Sequence, residues 1–343
     1  MNKYYKTLEL DKILEMLANE ASNEKTKQMA LEIEPSFDIF EVNNEIKKTS
    51  QAFELSVKFG TPPFTDFKDV SNSLMRAKSG ARLSLKELIE IGRILSQIKI
   101  LSDWYKHCTN IETELSYLFT RLMPNEYLQS RIETSIVSED EIADSASSEL
   151  ASIRRKKYQA GMRVREILDK MTRSTTIQKY LQEAIVTIRD GRYVLPVKAE
   201  HRGDVQGLIH GTSSSGQTYF IEPISIVEAN NDIRLLESKE QEEIDRIITE
   251  LCAECGKSAD TIIDNYNICV ELNLYFAKSN LAAKMQATTP IISDDGVISL
   301  KKARHPLIDK ERVVPIDISL GEDYQVLIIT GPNTGGKTVA LKT

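Results

Sequence analysis

The sequence predicts a mainly α protein with a small antiparallel β insert, followed by the start of an α/β segment. Three observations carry this. Apolar residues recur every three or four positions through most of residues 7–289. Between 185 and 222 that period gives way to short β-type runs around an Asp190-Gly191 turn signal. After Pro290 it is replaced by short β-branched runs that end at a glycine-rich stretch. Of the 343 residues 41% are hydrophobic and 28% charged, which is enough apolar material for a packed core and too much for a disordered chain.

Residues 1–137 read as a helical core. Pro35 and Ser36 precede Phe37, Phe40, Ile46, Phe53 and Val57, spaced to keep an apolar stripe on one side of a helix that Gly60-Thr61-Pro62-Pro63 stops. Ser84 and Glu87 form a capping box ahead of Leu88, Ile91, Leu95, Ile98 and Leu101. Residues 138–184 read as one long helical lever, interrupted only by Gly161, with Ile153, Ala160, Val164, Ile167, Leu168 and Met171 on one side. Residues 185–222 form the β tip: strands 185–189 and 193–198 flank Asp190-Gly191, and strands 207–210 and 218–221 flank a Ser/Gly loop. Residues 223–289 read as returning lever helices. Ser225 and Glu228 make a second capping box, and no Gly or Pro follows until Gly256, giving a rod of about 45 Å. Its middle, 237–243, lacks apolar residues and is expected to project into solvent or to lie in a thin two-helix arm. A partner helix over 258–288 ends before Pro290. Strands are expected at 291–292, 297–300, 313–318 and 324–330.

Charge and cysteine usage narrow the function classes. With 44 Lys plus Arg against 51 Asp plus Glu, the net charge is −7, so any attraction to a polyanion must be local. Residues 153–173 supply such a patch, with eight basic side chains against two acidic ones. Arg154, Lys157 and Arg165 flank the apolar stripe there and are the first nucleic-acid-binding candidates, against the plain reading of a solvated helix face. At the tip Arg189, Arg192, Lys198 and Arg202 are balanced by Asp190, Glu200, Asp204 and Glu222, so contacts there would come from individual side chains. Cys108, Cys252, Cys255 and Cys269 are too few and too scattered for a disulfide framework and fit a reducing cytoplasm. Cys252 and Cys255 have CxxC spacing without a second pair, which points to a helix core face rather than zinc. Four histidines show no metal spacing, and Ser213, Ser214, Ser215 and His210 lack a nucleophile elbow. The N-terminus is amphipathic and acid-containing, unlike a signal peptide, and no apolar run is long enough to span a membrane. A cytoplasmic location with no membrane partner is expected.

The chemistry sits at the end. Gly331, Pro332, Asn333, Thr334, Gly335, Gly336, Lys337 and Thr338 match G-x-x-x-x-G-K-[ST] in full, after an expected strand at 325–330 and before helix-forming Val-Ala-Leu-Lys. Glycines let successive backbone N–H groups turn inward around a phosphate, and a helix N-terminus adds partial positive charge. Lys337 would reach β- and γ-phosphate oxygens and the Thr338 hydroxyl would ligate Mg²⁺, so ATP and Mg²⁺ are the expected cofactors and residues 290–343 the N-terminal part of a P-loop ATPase domain.

This loop resembles that of MutS-type ATPases, and more closely the bacterial MutS-two branch that carries a C-terminal Smr domain. Two further stretches add to the resemblance. Arg304-His305-Pro306, followed by Val-Val-Pro-Ile-Asp317, is similar to the entry of the MutS ATPase domain, which implies that His305 lies near the nucleotide base, stacking on adenine or supporting the strand entry. Residues 189–223 resemble the MutS-two clamp insert. The resemblance implies a homodimeric, ATP-gated clamp acting on branched recombination DNA or on stalled ribosomes and ribosomal RNA, with endonuclease activity in the Smr domain. An SMC- or ABC-like ATPase, or a non-catalytic dimerisation and binding piece, are the competing readings. Phe220-Ile221-Glu222 repeats the Phe-x-Glu triplet of mismatch readers, but it ends a strand before Pro223, so Phe220 is expected to pack and Glu222 to sit near a helix start. Only five residues follow Thr338. The strand ending in Asp-Glu, the signature segment and the Smr domain of the family cannot lie there, so the chain is expected to be part of a longer polypeptide and to turn over no ATP by itself.

Overall fold

The computed structural model describes residues 3–332 and 336–343. In chain order the elements are α1 (Lys3–Thr7), α2 (Leu10–Glu20), α3 (Glu24–Leu31), α4 (Ile39–Phe59), α5 (Ser71–Lys78), α6 (Leu85–Lys106), α7 (Ser116–Arg121) and α8 (Glu126–Ser135). Then come β1 (Ile136–Ser138), β2 (Glu141–Ile142), α9 (Ser148–Arg173), α10 (Thr175–Tyr180), β3 (Thr187–Arg189), β4 (Arg192–Lys198), β5 (Gly207–Thr212) and β6 (Thr218–Pro223). The last are α11 (Ile224–Lys257), α12 (Ala259–Met285), β7 (Ile298–Ala303), β8 (Ile316–Leu320) and α13 (Lys337–Lys342). The fold is mainly α with small antiparallel sheets. It divides into two compact units: Met1–Ser79 with Glu90–Gln129 and Cys255–Thr343, and Gly80–Ile89 with Ser130–Glu254.

The first unit is built around α12. Ile262, Tyr266, Cys269, Leu272 and Phe276 on it are buried, and it packs against α2, α3, α4, α5 and α7. A helix apolar on most of its circumference has to be enclosed. Grouping residues 259–285 with the lever is therefore corrected: this helix is the centre of the helical core. Trp104 of α6 packs edge-on to Phe276, centroids 5.7 Å apart. Capping sets the helix starts. Asn23 accepts from the Lys25 and Thr26 amides ahead of α3, and Asp38, rather than Pro35-Ser36, caps α4 by accepting from the Phe40 amide at 2.8 Å. The expected apolar stripe of α4 is not core. Ala52 and Leu55 are its buried residues, while Phe37, Phe40, Phe53 and Val57 are exposed, because α4 meets α12 through a neighbouring face.

The second unit carries the tip. Residues 136–142 form a β1–β2 hairpin, and α9 starts only at Ser148, where the Ser147 hydroxyl accepts from the Leu150 amide at 2.9 Å. The expected helix from 138 is thus shortened at its start. Four antiparallel strands run in the order β3-β4-β6-β5. Asp190 (φ 48°) and Gly191 (φ 73°) are both left-handed, as a two-residue hairpin of type I′ requires, and place Arg189 opposite Arg192. Leu195 and Val197 of β4 and Ile221 of β6 bury one sheet face against Val164 and Leu168 of α9 and Ile226 and Ile233 of α11. Helix α11 follows β6 without a loop. Ser225 lies inside it, its hydroxyl 3.8 Å from Met171 Sδ, so the expected capping box there does not form.

Beyond α12, β7 and β8 pair antiparallel with Ile298 opposite Leu320, while 291–292 is not a strand. The expected strand at 325–330 is likewise unformed. It pairs with nothing among the described residues, and Val326 and Ile328 are 72% and 78% exposed. An apolar strand of the parallel kind takes its hydrogen bonds from neighbours on both sides, and none of the described strands lies beside it. No helix among the described residues is long and apolar enough to cross a membrane.

Candidate functional site

Around the phosphate-loop motif the structure describes its two ends. Gly331 (φ 139°) and Gly336 (φ 83°) occupy backbone conformations that favour glycine, and an added Cβ at either would meet open space. Helix α13 opens at Lys337 with Thr338 next, and Ala340 N donates to Gly336 O at 2.9 Å. Lys337 and Thr338 thus stand side by side at the start of α13. Asn333, Thr334 and Gly335 lie outside the described residues. At the other end of α13, Lys342 Nζ donates to Glu9 Oε2 at 2.8 Å. Glu9 also binds Lys12, and the two ammoniums, Lys12 first, hold its carboxyl down at about 2. His305 is buried within its own turn, where its Nδ1 accepts from the Leu307 amide at 3.3 Å and its carbonyl from Ile308 N at 3.2 Å. The ring is thus enclosed by its own turn.

The basic helix divides into an inner and an outer set. Arg154 Nε donates to Glu240 at 2.8 Å and Nη1 to the Ile142 carbonyl at 2.8 Å and Asp144 at 2.5 Å; Lys157 also binds Glu240. Burial works to raise the Glu240 carboxyl, but hydrogen bonds from Lys157 and Arg154 outweigh it and hold it below the usual range. Glu243 accepts from the Ser147 hydroxyl at 2.6 Å and from Arg246. The apolar-poor middle of α11 therefore faces α9 through ion pairs, as in a two-helix arm. Arg154 and Lys157, read from the sequence as polyanion candidates, are thus engaged by carboxylates of the chain itself. Arg165 is exposed and lies 5.8 Å from the Tyr193 ring centroid. At about 100° per residue, Arg155, Lys156, Arg163 and Arg173 share an outward side, and all four are exposed. The sequence marked these four as part of the patch without separating them from the inner pair, because Glu240, the acid that Arg154 and Lys157 share, comes from a helix some eighty residues on.

At the tip, Arg189 stacks 4.2 Å above the Phe220 ring and Arg202 lies 5.2 Å from that of Tyr219. Lys198 donates to the Lys179 carbonyl at 3.1 Å. Arg192 turns inward, with Nη1 2.8 and 3.0 Å from the two Glu222 oxygens and Nη2 2.7 Å from Asn231 Oδ1. Glu222 is fully buried and also accepts from His210 Nε2 at 2.5 Å and Asn230 Nδ2 at 2.7 Å. Phe220 packs, as expected. Glu222 does more than sit at a helix start: it ties β4, β5, β6 and α11 together. Its only sequence signal is a carboxylate between Ile221 and Pro223.

No family model matches the chain. Among curated proteins, endonuclease MutS2 of Lachnospira eligens is 44% identical over 341 residues, 99% of this chain and 43% of that protein. Endonuclease MutS2 of Acetivibrio thermocellus is 43% identical over 345 residues, again 99% of this chain and 43% of the relative. That of Clostridium perfringens SM101 is 42% identical over 344 residues, 100% and 44%. Over the residues it spans, the chain belongs to the MutS2 family. It covers about 43% of the length of these MutS2 relatives.

Other groups weighed from sequence have structural places within this MutS2 stretch. All four cysteines are buried and none is in a disulfide. Among the described residues no cluster of His, Cys, Asp or Glu could hold a metal ion. Ser213 and Ser215 bond each other at 3.2 Å in the tip loop, while His210 is committed to Glu222.

Proposed function

We propose that the chain is the core, arm and tip of an ATP-dependent clamp for nucleic acid, with the phosphate-gripping corner at its end. The observation that carries this is the complete loop motif, with Gly336 left-handed and Lys337 and Thr338 opening α13. Kinship to proteins named endonuclease MutS2 supports a nucleic-acid partner. In this reading the loop would hold the triphosphate of ATP and Lys337 Nζ would donate to its oxygens, offsetting charge that would otherwise repel a nucleophile. The Thr338 hydroxyl would hold Mg²⁺, which would supply positive charge beside the phosphates. In this reading the 343 residues by themselves bind nucleotide weakly and turn none over.

The outer cations Arg155, Lys156, Arg163, Arg165 and Arg173 and the tip cations Arg189 and Arg202 supply phosphate contacts. Such contacts fix position without reading bases, so duplex or branched DNA and ribosomal RNA are served alike. Two copies of the chain closing on the polymer complete the clamp. Titration with a fluorescent ATP analogue tests the corner: Lys337→Ala should weaken binding at least tenfold with the circular dichroism spectrum unchanged. Equal affinity in the variant, or protein-dependent hydrolysis by residues 1–343 that Lys337→Ala abolishes, would refute the respective half of the proposal.

A further inference from the structure

The stripe on α4 that the core leaves uncovered borders a groove of about 890 Å³ in the first unit. One wall is α4, which turns Val42, Ile46, Thr49 and Phe53 toward it, positions spaced four, three and four apart on one helix face. The floor is the α12 row Leu274, Lys278 and Ala282, again four apart, and Pro290 closes one end. Val57, 70% exposed, extends the same apolar side of α4 along the helix. Helix α4 is 21 residues long yet buries only Ala52 and Leu55, so it has an amphipathic face without a partner helix.

Charge indicates what fits. The lining carries four carboxylates, Glu32, Glu34, Glu41 and Glu45, and one cation, Lys278. Lys278 is already spent on Glu45 at 3.4 Å, where Tyr275 Oη and Lys48 also donate, at 2.8 and 3.1 Å. Glu32 accepts from Gln28 Nε2 at 2.9 Å and Glu41 from the Ser36 hydroxyl, but no further ammonium among the lining residues answers Glu32, Glu34 or Glu41. We propose that this groove docks an amphipathic helix of another polypeptide, one with a leucine-like stripe and lysine or arginine on both flanks. Helix-in-groove recognition reads i, i+3/i+4, i+7 anchors, which is the spacing this wall offers. The proposal does not depend on the nucleotide site.

The test uses the 343-residue chain and a fluorescein-labelled 18-residue model helix of leucine and lysine in that pattern, read by anisotropy. Two comparison peptides replace lysine by glutamate or scramble the same composition. Saturable binding is expected, at least tenfold tighter for the patterned basic helix than for either comparison. Ile46→Ser with Phe53→Ser, both at half-exposed positions, should weaken it at least tenfold with unchanged melting. Glu32→Gln, Glu34→Gln and Glu41→Gln together should weaken it and flatten its salt dependence, while Glu112→Gln with Glu149→Gln leaves both unchanged. Equal binding of the scrambled peptide, or no effect of the groove variants, would overturn the proposal. Self-association of the chain that the same variants abolish would also overturn it, assigning the groove to a second copy.

Discussion

Replacing Glu222 is the sharpest probe of how the tip is held. Its carboxylate has no exposure and accepts from Arg192, His210 and Asn230. Glu222→Ala removes the partner of an arginine whose own side chain is only 15% exposed. Breaking one side of a buried pair costs about 3–5 kcal/mol, because the remaining charge is stranded. Glu222→Gln keeps the volume but offers an NH₂ to groups that donate, and should cost about 1.5–3 kcal/mol. With a urea slope of about 2 kcal/mol/M, the alanine variant moves the second unit's midpoint down by roughly 2 M. The protein's one tryptophan, Trp104, belongs to the first unit. Its fluorescence should therefore report a transition that stays in place while the far-UV circular dichroism transition shifts. Glu222→Leu combined with Arg192→Met should recover most of the loss, since the pair is then removed whole. A shift of less than about 0.5 M for Glu222→Ala, or an equal shift in Trp104 fluorescence, would show that the network does not hold the tip.

Other outcomes follow from the same ion pairs and buried groups. Arg154→Ala should destabilise the second unit by about 1.5–3 kcal/mol while leaving the salt slope of duplex binding untouched. Arg155→Ala, Lys156→Ala and Arg163→Ala together should instead lower that slope, by about 0.9 for each phosphate no longer neutralised, with little change in melting. Burial pushes the Cys108 thiol up to about 11 and raises Cys252 and Cys269 as well, so a thiol reagent at pH 8 should label none of these until urea is added. The Glu9 carboxyl titrates near 2 when folded against an ordinary 4.5, so its hold on Lys342 is fully present above about 4.5 and lost as pH falls toward 2. Amide exchange in α13 should rise over that window, and Glu9→Gln should raise it at neutral pH.

How far the sequence could be read depended on where each constraint lies along the chain. Local chemistry was legible: the Ser84–Glu87 capping box forms, with Ser84 N and Oγ both 3.0 Å from Glu87 Oε2, and Asp190-Gly191 makes the expected turn. Periodicity located α6, α9, α11 and α12 but not their neighbours. The stripe Phe40–Val57 looks like core because spacing records that a face is apolar, not whether anything covers it. Arg154 and Lys157 looked like free cations because Glu240, their counter-ion, is distant in sequence. The phosphate-loop residues Gly336, Lys337 and Thr338 were legible because the motif is contiguous. The strand expected before them was not realised, since a strand exists only through a neighbour.

That bare ribbon, Val-Leu-Ile-Ile over 326–329, has a practical consequence. Backbone donors and acceptors beside β-branched side chains make a template for intermolecular sheet growth. Concentrated preparations of these 343 residues should cloud with time, and one lysine at Val326 should keep them clear.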